Sequence, residues 1–258
     1  MELILYFLNL LFYVAIILAV IYLIYIFYLY KEPDGAKYDF EIPNSSNKNM
    51  KLILLRHGAR SQNETFYTEL NDIGKEQAHN LVSELNKYGI DEIISSPFIR
   101  TLQTVYPFAE SSNKPIKIDY GLYEYRMGKV FKKDANVYTT NDIQQQSLIN
   151  KLDNSYTSSV QPDKLELNRN EYGKVEVETT AQLKKRVYNF FNNILSNPSF
   201  NGKTILIVSH AGVINMMKEY FKNKGDYKKF VPDSFVYNPY PFAHYVVYEQ
   251  KSEDVNKK

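Results

Sequence analysis

The sequence predicts a layered α/β fold with a mostly parallel central sheet flanked by helices. Two short apolar runs, residues 52–55 and 205–208, have the composition of strands that are buried on both faces of a parallel sheet. Apolar runs alternate with stretches of helical periodicity along most of the chain, which is typical of α/β proteins. With 258 residues, the chain has room for one large domain and its appendages.

The individual elements follow from the same periodicities. The first helix begins at Asn71 or Asp72, either of which can cap it, and runs to about Tyr88. The remaining strands are predicted at residues 90–95, 116–118, 204–208 and 243–248, and the remaining helices at 98–109, 142–152, 178–195 and 213–220. Residues 130–174 are mostly polar and interrupt the alternation, so we expect an insertion over the sheet.

The N-terminal segment is different in character. Residues 3–30 carry no charge and are apolar on every side of a helix, and their number exceeds the roughly 20 that a transmembrane helix needs. We therefore expect a transmembrane anchor at residues 1–30, a polar linker at 31–50, the folded domain at 51–248 and a disordered tail at 249–258. Lysines follow the apolar segment, so the positive-inside rule predicts a single-pass membrane protein whose folded domain is cytosolic.

The composition excludes several functions. A net charge of +2 gives no reason to expect a nucleic-acid partner. Because the chain contains no cysteine, disulfides, thiolate catalysis and cysteine-based zinc sites are ruled out.

The first apolar run ends in Arg56-His57-Gly58, which places a histidine at the edge of the sheet where α/β proteins bind ligands. A neutral imidazole is a nucleophile, and guanidinium groups match the oxygens of a phosphate. Positive neighbours disfavour the imidazolium form, so they keep His57 ready to attack. The pattern predicts phosphoryl transfer to His57.

A second histidine follows the other apolar run, in Ser209-His210. Two histidines could bind a metal, but metal sites contain carboxylates and few cations, whereas Arg56 and Arg60 stand beside His57. The pair of histidines fits an anion better, so neither a metal nor a cofactor is predicted.

Four segments in this order resemble the histidine phosphatase superfamily, the phosphoglycerate-mutase-like proteins. They are Arg56-His57-Gly58, residues 70–78, residues 95–104 and Ser209-His210-Ala211-Gly212. The resemblance spans roughly residues 51–248. It implies a three-layer sandwich and catalysis through a phosphohistidine intermediate.

The resemblance also implies a role for individual side chains. His57 corresponds to the nucleophile, and Glu124, in Leu122-Tyr123-Glu124, corresponds to the proton donor. The implied catalytic residues are His57, Glu124, Arg56, Arg100 and His210, and the implied substrate-binding residues are Arg60 and Asn63.

Within the superfamily, residues 116–125 resemble a segment of the suppressor-of-T-cell-receptor-signalling phosphatases, whereas Ala59 and residues 124–128 depart from the pattern of the metabolic mutases. We therefore expect a membrane-anchored phosphatase that hydrolyses a phosphomonoester. Its partner would be a phosphorylated protein, lipid head group or small metabolite. A phosphoglycerate mutase, a sugar-bisphosphatase and a non-catalytic relative that binds phosphorylated ligands are the alternatives.

Overall fold

The computed structural model describes residues 6, 9, 12–22, 32–42, 47, 49–62, 65–125, 139–161, 178–229 and 240–251. By internal contacts the chain divides into two units, Met1–Ala36 and Lys37–Lys258. The second unit contains the functional motifs.

A six-stranded sheet forms the centre of the second unit, in the order β1-β6-β2-β5-β3-β4. The strands are β1 (Ala36–Phe40), β2 (Lys51–Arg56), β3 (Glu92–Ser95), β4 (Ile116–Ile118), β5 (Thr204–Ser209) and β6 (Tyr245–Gln250). The pairs β2–β5, β5–β3 and β3–β4 are parallel, and β6 is antiparallel to β2. The predicted α/β fold with a mostly parallel sheet is confirmed.

Helices cover both faces of this sheet. They are α1 (Asp72–Leu85), α2 (Ile99–Ser111), α3 (Gln146–Ile149), α4 (Thr180–Ser196) and α5 (Ala211–Lys222). Ile53 and Leu55 of β2 join the apolar core formed with α1 and α2. Leu52 and Leu54 point to the opposite face because side chains alternate along a strand, and they are fully buried too. This burial on both faces explains the unbroken apolar run of β2.

Side-chain caps begin two of the helices, and the cap of α1 lies at one of the two positions predicted from the sequence. The Asn71 side chain accepts a hydrogen bond from the Gly74 amide at 2.9 Å and so caps α1. Thr179 and Gln182 form a reciprocal capping box at the start of α4. Both caps fix the direction in which the chain enters a helix that packs beside the candidate site.

Two regions differ from the sequence prediction. Ala36–Phe40, within the stretch interpreted as a linker, forms the edge strand β1, and α3 is only four residues long where a helix over 142–152 was expected. Residues 151–153 instead extend along β4. The Ile116 amide donates to the Lys151 carbonyl at 2.7 Å, and the Asp153 amide donates to the Ile116 carbonyl at 2.8 Å.

The expected single-pass membrane topology with a cytosolic domain is wrong for the structure described. Across all the described residues, no helix combines the length and apolar character that crossing a membrane requires.

The start of α1 packs against the loop that follows β2 at a distance only glycine allows. A Cβ atom added to Gly74 would lie 1.9 Å from the Ala59 carbonyl oxygen and 3.0 Å from the Ala59 nitrogen. Gly58 approaches the same helix, since its Cβ would lie 2.9 Å from the Gly74 carbonyl oxygen. These contacts hold the loop next to His57 against α1.

We therefore predict that Gly74→Ala lowers the free energy of unfolding by about 3 kcal/mol or more, because backbone must move to admit the methyl group. Urea denaturation followed by circular dichroism measures this. Ser83→Ala, on the exposed side of the same helix, is the control and should stay within about 0.5 kcal/mol of the wild type. A Gly74→Ala protein as stable as the control would show that this contact does not constrain the loop.

Candidate active site

His57 lies immediately after β2 and is 1% exposed. Its amide donates to the Ser209 carbonyl at 3.1 Å, which joins it to the end of β5. The ring Nδ1 lies 2.8 Å from the Gly58 carbonyl oxygen. Because a carbonyl only accepts hydrogen bonds, we assign the ring proton to Nδ1, and the lone pair of Nε2 is then free to attack a substrate.

The loop after His57 is fixed by both neighbouring helices. The Gly58 amide donates to Thr104 Oγ1 of α2 at 2.9 Å, and the Ala59 amide donates to Gln77 Oε1 of α1 at 2.8 Å. The backbone beside the predicted nucleophile is thus held by side chains from two separate elements.

His210 follows β5 in the same way that His57 follows β2, and it is fully buried. Because β2 and β5 are parallel neighbours with Arg56 opposite Ser209, the two rings meet with centroids 5.2 Å apart. Ser96 Oγ lies 2.9 Å from His210 Nε2. With the Ser96 hydroxyl donating to Nε2, the proton of the neutral ring resides on Nδ1, which points to the Glu124 side of the site.

Two arginines enter the same space from different elements. Arg56, the last residue of β2, donates to the Tyr240 carbonyl, and its guanidinium lies 4.0 Å from the centre of the Phe242 ring. Arg100, in the first turn of α2, is 1% exposed and donates from Nη1 to the Thr65 carbonyl at 2.8 Å. The aromatic and backbone contacts hold both planar groups in fixed orientations.

Glu124 contributes the carboxylate of the site. It lies just after the short 3₁₀ turn Tyr120–Leu122. Arg100 Nη2 lies 3.2 Å from Glu124 Oε2, and His210 Nδ1 lies 2.9 Å from the same oxygen. The His210 N–H is not aligned with this oxygen, so the short distance is an electrostatic contact and not a formed hydrogen bond.

Three buried donor atoms in this cluster have no hydrogen-bond partner among the residues that the structure describes: Arg56 Nε, Arg100 Nε and His210 Nδ1. An unsatisfied buried donor costs roughly 1–3 kcal/mol, so a native protein rarely keeps one without a reason. Here three belong to side chains that surround His57. The arrangement is suited to an anion with several oxygen acceptors.

The sequence profile of the histidine phosphatase superfamily (branch 1) matches residues 52–230, which contain this whole cluster apart from Tyr240 and Phe242. The chain belongs to the histidine phosphatase superfamily.

Curated relatives of the chain include phosphatases and a mutase. A probable phosphatase of Schizosaccharomyces pombe is 28% identical over 178 residues, which cover 67% of this chain and 73% of the relative. Phosphoserine phosphatase 1 of Hydrogenobacter thermophilus is 34% identical over 87 residues, covering 29% of this chain and 41% of the relative. A 2,3-bisphosphoglycerate-dependent phosphoglycerate mutase of Thermoplasma acidophilum is 34% identical over 98 residues, covering 35% and 49%.

Solved structures confirm the fold. The ecdysone phosphate phosphatase of Bombyx mori, in complex with tungstate, superimposes with a TM-score of 0.57 at 16% identity, covering 77% of this chain and 88% of its own. Bacillus stearothermophilus YhfR gives a TM-score of 0.51 at 21% identity, covering 75% and 87%. These matches support the superfamily fold but not the narrower suppressor-of-T-cell-receptor-signalling type.

The titration behaviour of the two histidines suits nucleophilic chemistry at neutral pH. Burial, with Arg100 next in importance, holds the pKa of His57 well below its usual value. Burial also lowers the pKa of His210 to about 4. Both rings are therefore neutral at pH 7. Burial lowers the pKa of Arg56 and of Arg100 to about 10, so both stay charged.

Glu124 is a carboxylate in the ligand-free site. Burial by itself would raise its pKa, but His210, Arg100 and His57 outweigh burial and hold the pKa below the usual value. Of the groups that lower the pKa, His210 has the largest effect and Arg100 the next, and Arg100 keeps its charge at neutral pH.

His57, Glu124 and His210 could also be considered as metal ligands, since one ligand atom from each lies within 4.8 Å of the others. The charges argue for an anion. Arg100 already donates to the carboxylate that a metal would need, and Arg56 and Arg100 both lower the affinity of the histidines for positive charge.

The structure thus brings together five of the predicted residues, namely Arg56, His57, Arg100, Glu124 and His210. Arg60 lies on the loop after His57 and donates from Nη1 to the Ser61 carbonyl at 2.8 Å. Burial lowers the pKa of Arg60, and the Glu124 carboxylate partly opposes this lowering, which shows that the charges of Arg60 and Glu124 interact. Asn63 lies outside the described residues.

Several site neighbours were not identified from the sequence. Ser96, Phe98 and Thr104 lie inside a motif that carried the resemblance, but their contacts with His210, Arg100 and Gly58 appear only in three dimensions. Tyr240 and Phe242 belong to a segment with no motif. Only the antiparallel pairing of β6 with β2 brings that segment beside Arg56.

The lowered pKa of His210 predicts a pH-dependent loss of stability. Between pH 6.5 and 4 the unfolded chain binds a proton that the folded chain excludes, so folding becomes less favourable as pH falls, by up to about 3 kcal/mol from this residue. Unfolding free energies measured across this range should show the loss, and His210→Gln should reduce it. His79→Gln, at an exposed position of α1, is the control; equal slopes in both variants would contradict the assignment.

Proposed function

We propose that the protein is a phosphomonoester hydrolase that works through a phosphohistidine at His57. The observation that carries this proposal is a set of three buried donors, from Arg56, Arg100 and His210, that surround a neutral histidine and have no hydrogen-bond partner within the described part of the chain. A phosphoryl group has the charge and the oxygens to accept from all three, and its phosphorus would then lie within reach of the His57 lone pair.

In the first step, His57 Nε2 forms a bond to phosphorus while the bond to the ester oxygen breaks. Negative charge on the equatorial oxygens is stabilised by Arg56, Arg100 and His210. Glu124, once protonated, gives its proton to the departing oxygen, so that an alcohol leaves and not an alkoxide.

Glu124 must therefore gain a proton when the substrate binds. In the ligand-free site Arg100 holds it as a carboxylate. A dianionic phosphate placed among the same groups offsets the charge of Arg100 and repels the carboxylate, which raises the pKa of Glu124. Substrate binding thereby prepares the proton donor.

In the second step, water attacks the phosphorus of phosphohistidine and gives its proton to the Glu124 carboxylate. The bond between phosphorus and Nε2 breaks, its electron pair returns to the imidazole, and inorganic phosphate leaves. His57 Nδ1–H donates to the Gly58 carbonyl throughout, which keeps the ring in one orientation.

The names of the relatives agree with this reaction class, since two are phosphatases. One relative is a phosphoglycerate mutase, so we keep a mutase as the second candidate: it would use the same phosphohistidine but return the phosphoryl group to an alcohol. The relatives do not single out the suppressor-of-T-cell-receptor-signalling type, and we do not extend the proposal to it. We infer a phosphorylated small molecule as the substrate class.

The covalent intermediate is directly testable. Full-length protein mixed with a ³²P-labelled phosphomonoester and quenched in alkali should retain label, because phosphohistidine survives alkali and is lost in acid. His57→Asn should retain none, whereas His79→Asn should match the wild type. Label that appears equally in the His57→Asn protein would overturn the proposal.

A chase of the labelled protein then separates the two candidates. Release of the label as inorganic phosphate at the same rate with and without phosphoglycerate identifies a hydrolase. Faster transfer to phosphoglycerate than to water identifies a mutase.

The role of Glu124 predicts a dependence on the leaving group. With an alkyl phosphate, Glu124→Gln should lower kcat/KM, which reports the step in which the ester oxygen leaves, by about 10² to 10⁴ because the poor leaving group needs a proton. With p-nitrophenyl phosphate, whose phenolate leaves unaided, the loss should be at least tenfold smaller. Steady-state kinetics with both esters measures the difference, and an equal loss with both would remove Glu124 from the role of acid.

A further inference from the structure

We propose that Arg186 is a positioning residue that fixes the loop carrying Glu124. This inference rests on the proposed function, because it assigns a task to the proton donor described above. Arg186 lies on α4, far along the chain from the site motifs, and no motif points to it.

The contact that carries the inference is made to Gly121, three residues before Glu124. Arg186 Nη1 donates to the Gly121 carbonyl at 2.7 Å in a buried environment. On the other side, the Gly121 amide donates to Asp119 Oδ1 at 2.8 Å. The amide and the carbonyl of Gly121 are thus both hydrogen-bonded to ionisable side chains, which strongly restrains the start of the loop.

Little space remains for Gly121 to move. A Cβ at this position would lie 2.9 Å from Asp119 Oδ1, 3.1 Å from the Phe190 Cβ and 3.1 Å from Ser159 Oγ. Phe190 lies one helical turn after Arg186 on α4, so the same helix restrains Gly121 by packing and by hydrogen bonding.

The far side of Glu124 is joined to the same helix. Tyr125 Oη lies 3.2 Å from Thr180 Oγ1, in the first turn of α4. The Tyr125 amide donates to Glu124 Oε1 at 3.0 Å. Helix α4 therefore contacts the loop on both sides of the carboxylate, with Arg186 before it and Thr180 after it.

Arg186 is itself held in one orientation. Its Nε and Nη2 contact the two oxygens of Glu178 at 2.5 and 2.8 Å, and the pair is nearly buried, with side chains 6% and 10% exposed. This two-point contact orients the guanidinium so that Nη1 is directed to Gly121. A lysine offers a single charged point and cannot make both the two-point contact and the bond to Gly121.

The consequence concerns proton transfer in particular. The phosphate-binding groups Arg56, Arg100 and His210 are placed by β2, α2 and the end of β5, and none of them lies on α4. A shift of about 1 Å in a reacting group can reduce a rate about a hundredfold. Loss of Arg186 should therefore displace Glu124 while Arg56, Arg100 and His210 keep their positions.

Arg186→Lys and Arg186→Gln in the full chain test this with two substrates. We expect kcat/KM for β-glycerophosphate to fall at least tenfold more than kcat/KM for p-nitrophenyl phosphate, with KM for the aryl ester changed less than threefold. Glu178→Gln, which keeps Arg186 but weakens its orientation, should shift the ratio of the two kcat/KM values in the same direction by a smaller factor.

The matched control is Lys117→Gln. Lys117 lies on β4 and forms partly buried ion pairs with Glu92 and Asp153, which the substitution removes. It should lower thermal stability and leave the ratio of the two kcat/KM values at the wild-type level. Where an Arg186 variant fails to fold, Glu178→Gln decides by the same ratio.

The outcomes separate this inference from the proposed function. Equal loss with both esters in the Arg186 variants, or an unchanged ratio in Glu178→Gln, overturns the positioning role while hydrolysis by the wild type stands. A wild type that hydrolyses neither ester overturns the proposed function and this inference with it. A leaving-group effect in Glu124→Gln without one in Arg186→Lys assigns the acid and rejects its link to α4.

Discussion

The structure depends on one electrostatic constraint: within the part of the chain that is described, two guanidinium groups and two imidazoles, largely shielded from solvent, surround one carboxylate, that of Glu124. Desolvation opposes every charge in this cluster, and Glu124 offsets it for Arg100 by direct contact. The cluster remains short of acceptors, because three of its donors are unpartnered among the described residues. A site of this kind gains stability when an oxyanion enters, and that gain is the basis of its affinity.

The parallel arrangement of β2 and β5 is the reason such a cluster can form. Their carboxyl ends coincide, so His57 and His210 meet without any contribution from a long loop. Neighbouring elements add the remaining groups of the site. Arg100 comes from the first turn of α2, and the segment before β6 supplies the Tyr240 carbonyl that accepts from Arg56. The sheet therefore fixes the positions of the two histidines, and the neighbouring elements supply the other groups around them.

Much of this was predictable because the relevant signals are local. Apolar runs of four residues locate β2 and β5, and the histidines that follow them must then lie at one sheet edge. The remainder depends on contacts between distant segments. Neither the edge strand Ala36–Phe40 nor the link from Arg186 to Gly121 has a local signature. Hydropathy alone also predicted a membrane-spanning helix near the N-terminus, whereas no helix among the described residues is long and apolar enough to cross a membrane.

The proposed proton donor, Glu124, and the proposed phosphate-binding residues are supplied by different elements. Glu124 lies on a loop that contacts α4, whereas Arg56, Arg100 and His210 come from β2, α2 and the end of β5. Under the proposed mechanism, a change that displaced the loop would therefore affect esters with poor leaving groups more than esters with good ones.

The short segment beside β4 has a further consequence. A strand at the border of a sheet offers free amide and carbonyl groups to any passing chain, which is a common origin of aggregation. Here Lys151 and Asp153 occupy the outward groups of Ile116 within the same molecule. At Ile116 this edge of the sheet is therefore closed to pairing with another copy of the chain.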